Sequence, residues 1–125
     1  TLAMDPQAPN TLYTDGKDGI YKSTNGGSSW NLISTDLASY AVEVLAVDPE
    51  TPTTLYAGMY GLGVYRSTDG GVSWHAFDAG MTYSYVYALV IDPFIPSNLY
   101  AGTGGGGVFT IQQLAYQVNL PLILQ

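Results

Sequence analysis

The chain repeats itself three times, and this repetition constrains the fold more than any other feature of the sequence. Residues 2–6 read LAMDP, and close copies stand at residues 45–49 (LAVDP) and 89–93 (LVIDP). The same spacing separates three Leu-Tyr pairs, at residues 12–13, 55–56 and 99–100. A period of about 40–50 residues is typical of propeller blades and of paired-helix repeats. The choice between strands and helices therefore decides the fold class.

The prolines favour strands. Each repeat contains the pattern D-P-x-x-P, which begins at Asp5, Asp48 and Asp92. Two prolines within four residues cannot lie inside a helix, whereas an Asp before Pro favours a β-turn in which the carboxylate bonds the turn backbone. The segments between these turns are short and rich in Val, Ile, Tyr, Thr and Leu, a composition that predicts β-strands.

The second repeat predicts four strands, at residues 40–48, 54–58, 64–67 and 73–77. Four antiparallel strands make one blade of a β-propeller, and a blade must stack on neighbours to bury both of its faces. We therefore predict an all-β fold, a β-propeller segment of about three four-stranded antiparallel blades. The alternative is a plain β-sandwich, against which the regular spacing argues.

Repeats one and two also share the pattern S-x-[DN]-x-G-x-x-W. Its residues are Ser23, Asn25, Gly27 and Trp30 in repeat one, and Ser67, Asp69, Gly71 and Trp74 in repeat two. The pattern resembles the Asp-box, or BNR repeat, of sialidases, xyloglucanases, sortilin-type receptors and a photosystem assembly factor. The resemblance covers nearly the whole chain and implies a propeller, but no single activity, because proteins with this repeat have unrelated functions.

We interpret this pattern as a structural turn. The glycines supply positive φ, the Asp or Asn side chain accepts backbone N–H bonds, and the Trp ring is buried between sheets. The alternative is that Asp69 is a catalytic or calcium-binding carboxylate. The resemblance argues against it, since the boxes of such propellers lie at the periphery, away from the face that holds ligands.

The third repeat departs from the pattern, as terminal repeats often do. Ile111, Gln113, Ala115 and Val118 replace the four box residues. We expect blade one at 1–39, blade two at 40–83, blade three at 84–119 and an apolar C-terminal tail at 120–125. Because three blades do not close a propeller, we expect the remaining blades of a longer protein, or self-association. Residue 125 is expected at or near the C-terminus.

Charge and composition exclude several functions. The net charge of −7 would repel phosphate backbones, so we expect no nucleic-acid partner. The absence of cysteine excludes thiol nucleophiles and cysteine–zinc sites. No apolar stretch approaches the roughly 20 residues of a membrane helix. No cofactor and no metal site are predicted.

No catalytic set is recognisable. A sialidase resembling this family would need three arginines, and Arg66 is the only one. A glycosidase needs two carboxylates about 5–10 Å apart, and no pair matches a catalytic motif of a xyloglucanase.

The loops between the second and third strands are the candidate ligand side, because such loops face the ligand in the propellers that the chain resembles. Asp15 and Asp18 lie in this loop of blade one, and Tyr60 lies in that of blade two. We consider them part of a carbohydrate or peptide groove. The alternatives are solvated hairpin turns and, for the two aspartates, a calcium site.

Three tyrosines alternate at the entry to blade three, at positions 83, 85 and 87. Alternation along a strand places Tyr83, Tyr85 and Tyr87 on one face. Such a row can stack sugar rings, or it can pack between blades. Of the three, Tyr83 and Tyr85 are taken with Asp15, Asp18 and Tyr60 as candidate ligand-binding residues.

These observations favour a non-catalytic binding or scaffold segment of a secreted or cell-surface propeller, with a glycan or protein as ligand. The alternative is a portion of a glycoside hydrolase, similar to xyloglucanases, whose catalytic carboxylates lie mostly in blades outside this chain.

Overall fold

The computed structural model describes residues 1–77 and 84–112. Within these ranges the chain forms eleven β-strands and no helix. They are β1 (Leu2–Met4), β2 (Leu12–Gly16), β3 (Gly19–Ser23), β4 (Asn31–Ser34), β5 (Val42–Val47), β6 (Leu55–Met59), β7 (Gly63–Ser67), β8 (His75–Ala76), β9 (Val86–Ile91), β10 (Asn98–Thr103) and β11 (Gly107–Gln112). The described part of the chain thus has no helix that is long and apolar enough to cross a membrane.

The strands form three separate antiparallel sheets in chain order. Sheet one is β1-β2-β3-β4, sheet two is β5-β6-β7-β8, and sheet three contains β9-β10-β11. Within each sheet every strand pairs with its neighbours in sequence, so that each sheet is a simple meander. The predicted all-β class is confirmed. The fourth strand expected in the third repeat, after residue 113, lies outside the described residues.

Strand β8 is shorter than predicted, covering His75–Ala76 rather than residues 73–77. At its N-terminal end the difference arises because the preceding residues make other bonds. The Ser73 amide donates to Asp69 and the Trp74 amide donates to Asp36, so neither is free to extend the ladder.

The three Asp-Pro turns form by the predicted mechanism. The Oδ1 atoms of Asp5, Asp48 and Asp92 each accept a hydrogen bond from the amide two residues later, at 2.8, 2.9 and 2.9 Å. An Asx turn of this kind satisfies turn amides that the adjoining strands cannot reach. Each turn joins the first two strands of its sheet.

The sheets stack face to face through two hydrophobic cores. In β6, Leu55, Ala57 and Met59 contribute to the core shared with sheet one, whereas Tyr56 contributes to the core shared with sheet three. This alternation follows from the period of two in a strand. We call the face of a sheet toward the preceding sheet its front, and the opposite face its back.

The core between sheets one and two joins the back of sheet one to the front of sheet two. The back of sheet one supplies Ala3, Tyr13 and Ile20, and partly buried Ile33 packs against them. The front of sheet two supplies Leu45, Val47, Leu55, Ala57, Met59 and Trp74. The core between sheets two and three repeats this arrangement with Tyr56 and Val64 on one side and Val86, Leu99, Ala101 and Ile111 on the other.

Polar contacts also connect sheets one and two. The Asp36 carboxylate, in the connection after β4, accepts a hydrogen bond of 3.0 Å from the Trp74 amide. Near the Asp-Pro turns, the Gln7 side-chain amide donates to the Pro49 carbonyl at 2.8 Å. These bonds fix the stacking register more specifically than non-directional apolar burial can.

Candidate functional site

The turn between β7 and β8 is organised by one buried hydroxyl and one carboxylate. Ser67, which is fully buried, donates to Asp69 Oδ1 at 2.8 Å and accepts the Gly71 amide at 2.8 Å. Asp69 Oδ1 also accepts the Ser73 amide at 2.9 Å. The Trp74 indole closes the turn by donating to the Gly71 carbonyl at 2.9 Å. The four motif residues of this turn therefore bond to one another.

The equivalent turn of sheet one uses an amide where sheet two has a carboxylate. Asn25 Oδ1 accepts from the Ser23 hydroxyl and from the Ser29 amide, both at 2.9 Å, and Gly27 donates to Ser23 Oγ. The Asn25 side-chain nitrogen donates to Ser29 Oγ at 2.8 Å, a bond that a carboxylate would receive rather than make. In both turns the two central glycines have positive φ.

The electrostatic state of Asp69 suits a structural role. Hydrogen bonds from the Ser73 hydroxyl, the Ser73 amide and the Ser67 hydroxyl hold the pKa of Asp69 well below its ordinary range. A general acid at neutral pH needs a raised pKa, and a general base needs free lone pairs aimed at a substrate. Asp69 has neither property, because its oxygens serve the turn.

This lowered pKa predicts a specific acid sensitivity. The folded-state pKa lies below the unfolded one, so ionised Asp69 stabilises the fold at neutral pH, and that contribution is lost as the pH falls below about 3.9 toward the folded value. In Asp69→Asn, which introduces the amide that Asn25 has in sheet one, the contribution no longer depends on pH. We expect the urea midpoint to fall less in the variant than in the wild type between about pH 6 and about pH 2.5. Equal falls in the two proteins would contradict the assignment.

Asp15 and Asp18 flank the hairpin between β2 and β3, at the edge of sheet one. Asp15 accepts a hydrogen bond from the amino group of Thr1 at 3.0 Å. Asp18 accepts one from the Tyr21 hydroxyl at 3.2 Å. Partial burial and the neighbouring Asp18 raise the pKa of Tyr21. Among the described residues, no group of three or more metal-ligating side chains comes together, here or elsewhere.

Three tyrosines form a cluster of exposed aromatic rings within the part of the chain that the structure describes. Tyr60, in the hairpin between β6 and β7, lies with its ring centroid 4.8 Å from that of Tyr85 and 6.4 Å from that of Tyr87, both in edge-on geometry. All three side chains are exposed. We call these three residues the tyrosine cluster.

The backbone holds the tyrosine cluster at the junction of sheets two and three. The Tyr60 amide donates to the Ala41 carbonyl, and the Gly104 amide donates to the Tyr85 carbonyl, both at 2.9 Å. A Cβ atom on Gly104 would lie 2.5 Å from the Tyr87 ring, so glycine in the hairpin between β10 and β11 leaves room for that ring. Glycine at this position thus allows the Tyr87 ring to lie directly against the backbone of the hairpin.

The structure therefore separates the candidate ligand-binding residues into two groups. Tyr60 and Tyr85 come together although they are far apart in sequence, and Tyr87 joins them as a third ring. Asp15 and Asp18 lie in a different hairpin, with Thr1 and Tyr21 as polar partners. Tyr83 lies outside the described residues. The alternation of Tyr85 and Tyr87 was the sequence signal for the third ring.

No protein-family model matches the chain, and no curated protein matches it by sequence. Solved structures do match. A GH74 enzyme from Niastella koreensis gives a TM-score of 0.66 at 24% identity, over 90% of this chain and 21% of that chain. The GH74 xyloglucanase from Xanthomonas campestris gives 0.64 at 18% identity, over 90% of this chain and 22% of that one. YCF48 from Cyanidioschyzon merolae gives 0.63 at 16% identity, over 88% and 32%.

At sequence identities this low, the structural similarity establishes the fold of the chain and not its activity. The chain spans about a fifth of the length of the two GH74 structures. The matched proteins are β-propellers, and the antiparallel sheets of this chain correspond to their blades, so the predicted fold class is confirmed. The three sheets of this chain are neighbouring blades of a β-propeller.

Proposed function

We propose that the chain is a non-catalytic, carbohydrate-binding part of an Asp-box propeller, and that the tyrosine cluster is its binding surface. The observation that carries the proposal is the convergence of three exposed rings at the junction of two blades. Single exposed aromatic residues are ordinary, whereas a group of them marks an interaction site.

The chemistry of the cluster suits a sugar. A tyrosine ring offers an apolar face to the C–H side of a pyranose, and its hydroxyl offers a hydrogen bond to a sugar hydroxyl. The edge-on packing of Tyr60 against Tyr85 fixes the rings in place. Rings ordered before binding lose less entropy when a ligand arrives.

The charge of the chain narrows the ligand class. With a net charge of −7, the protein repels anionic polysaccharides and sialylated glycans. A neutral glucan chain carries no such penalty. The likeness to a GH74 xyloglucanase supports xyloglucan-type glucans as the first ligands to test. Such a ligand lies outside the cell, which agrees with the expected extracellular or cell-surface location.

The alternative is that the chain is a portion of a xyloglucanase-like glycoside hydrolase. The likeness to GH74 enzymes favours it. Among the described carboxylates, Asp69 serves its turn and Asp36 accepts a hydrogen bond from the Trp74 amide. Asp15 and Asp18 lie near a hairpin tip and are the first carboxylates to test for this alternative.

Calorimetric titration with xyloglucan oligosaccharides tests the proposal. We expect saturable binding, and we expect Tyr85→Ala and Tyr60→Ala each to weaken it about fivefold, since one stacked ring contributes on the order of 1 kcal/mol. Phe94→Ala is the matched control, because Phe94 is an exposed aromatic residue beyond the opposite end of β9. This variant should bind like the wild type.

Two outcomes would reject the proposal. One is the absence of saturable binding to xyloglucan and to unbranched β-glucan oligosaccharides. The other is an equal loss of affinity in Phe94→Ala and Tyr85→Ala. Release of reducing sugar that disappears in Asp15→Asn or Asp18→Asn would support the glycosidase alternative instead.

A further inference from the structure

The back of blade three is exposed where the backs of blades one and two are buried. Ile20, Val64 and Val108 occupy the same position in the three repeats. Ile20 and Val64 are 0% exposed, but Val108 is 72% exposed. The same holds for the position of Ala3 in blade one, where blade three has Val90, 60% exposed. The back of blade three is therefore an exposed blade face, and none of the described strands packs against it.

The front of blade one is exposed in the same way. Leu45 and Val47 of blade two are buried against blade one, at 5% and 9% exposure. Their counterparts in blade one are Leu2 and Met4, which are 63% and 52% exposed. Trp30, the counterpart of buried Trp74, is only partly buried. The described blades thus leave two apolar faces exposed, the front of blade one and the back of blade three.

These two faces are of complementary types. Inside the chain, the front of one blade packs against the back of the preceding blade at two junctions. The exposed front of blade one is equivalent to the fronts that are buried at these junctions, and the exposed back of blade three is equivalent to the buried backs. The two exposed faces can therefore pack against each other in the same way as the blades pack inside the chain.

We propose that the chain associates with a second copy of itself head to tail, the front of blade one in one copy covering the back of blade three in the next. The contact is heterologous, so it can close into a ring. Two copies provide six blades, a number at which propellers close. The net charge of −7 per chain opposes the contact, and physiological salt screens that repulsion beyond about 8 Å.

The mass in solution is the first measurement. We expect light scattering of the 125-residue chain to give twice the 13.3 kDa of one copy at about 100 µM, a concentration far above a micromolar Kd. Larger species that Val108→Glu abolishes would show the same contact without ring closure. A monodisperse monomer that melts cooperatively would overturn the proposal, and would leave blades outside this chain as the occupants.

Two variants and their mixture test the head-to-tail geometry. Val108→Glu places a charge on the back of blade three, and Met4→Glu places one on the front of blade one. Each variant alone should be a folded monomer, because each has lost one of the two faces that a heterologous contact needs. A one-to-one mixture should form a heterodimer, since each partner keeps the face that the other has lost.

Val72→Glu is the matched control. Val72 is an exposed valine, at 56%, in the turn between β7 and β8 and on neither open face. This variant adds the same charge and should associate like the wild type. Association that persists in both face variants, or that is lost equally in Val72→Glu, would overturn the head-to-tail contact. Circular dichroism of each variant establishes that a monomer is folded.

Discussion

Trp74→Ala is expected to lower the free energy of unfolding by about 3–5 kcal/mol. The Trp74 side chain is 5% exposed and belongs to the core between blades one and two. Its removal leaves a cavity in the core to which Leu55 and Met59 also belong. The indole N–H bond to the Gly71 carbonyl is lost as well, and the buried carbonyl is left without its partner.

Trp30→Ala provides the matched comparison. Trp30 stands in the same motif of blade one, but it is only partly buried, because none of the described blades covers that front face. We expect a smaller loss than for Trp74→Ala, measured as urea midpoints at one fixed protein concentration. Equal losses in the two variants would mean that the turn itself, and not the packing between blades, accounts for the stability of the motif.

Gly19→Ala is the second large expected effect, a loss of roughly 2–5 kcal/mol from backbone strain and steric overlap together. Gly19 opens β3 with a φ of +136°, a conformation that residues with a Cβ atom rarely adopt. A Cβ atom built there would lie 1.9 Å from the carbonyl oxygen of Ser34 in β4. Since that atom is backbone, the strand itself would have to shift.

Gly107→Ala separates the two causes. Gly107 holds the same position in blade three, with a φ of +79°, and a Cβ atom there would meet nothing within 4 Å. This variant should show the cost of strain alone, about 1–3 kcal/mol. Thermal or urea unfolding of both variants measures the difference. If Gly19→Ala were no more destabilising than Gly107→Ala, the close approach of β3 to Ser34 would be contradicted.

The turns could be predicted from the sequence because hydrogen bonds between residues that are close in sequence stabilise them. The Asp-Pro turns depend on a carboxylate and the amides that follow it within three residues, and the hydrogen bonds of Asp48 to the amides of residues 50 and 51 are of this kind. The motif of Ser67, Asp69 and Gly71 closes within five residues. Such contacts need no information from distant parts of the chain.

The tyrosine cluster could be predicted only in part. The alternation of Tyr85 and Tyr87 was visible as a period of two. The approach of Tyr60 to Tyr85 depends on the way in which blade three stacks on blade two, and no sequence pattern encodes that distance. The same is true of Asp36, whose bond to the Trp74 amide joins two blades.

By itself the sequence determined the all-β class, the repeat, the Asp-Pro turns and the motif between the third and fourth strands, since each depends on backbone conformation and short-range bonding. Only the tertiary structure decided which copies of a repeated apolar residue are buried. Val64 and Val108 are both valine in equivalent strands, yet one is fully buried and the other is 72% exposed. The physical reason is that an apolar side chain on a blade face is buried only where a neighbouring sheet covers it and removes its surface from water.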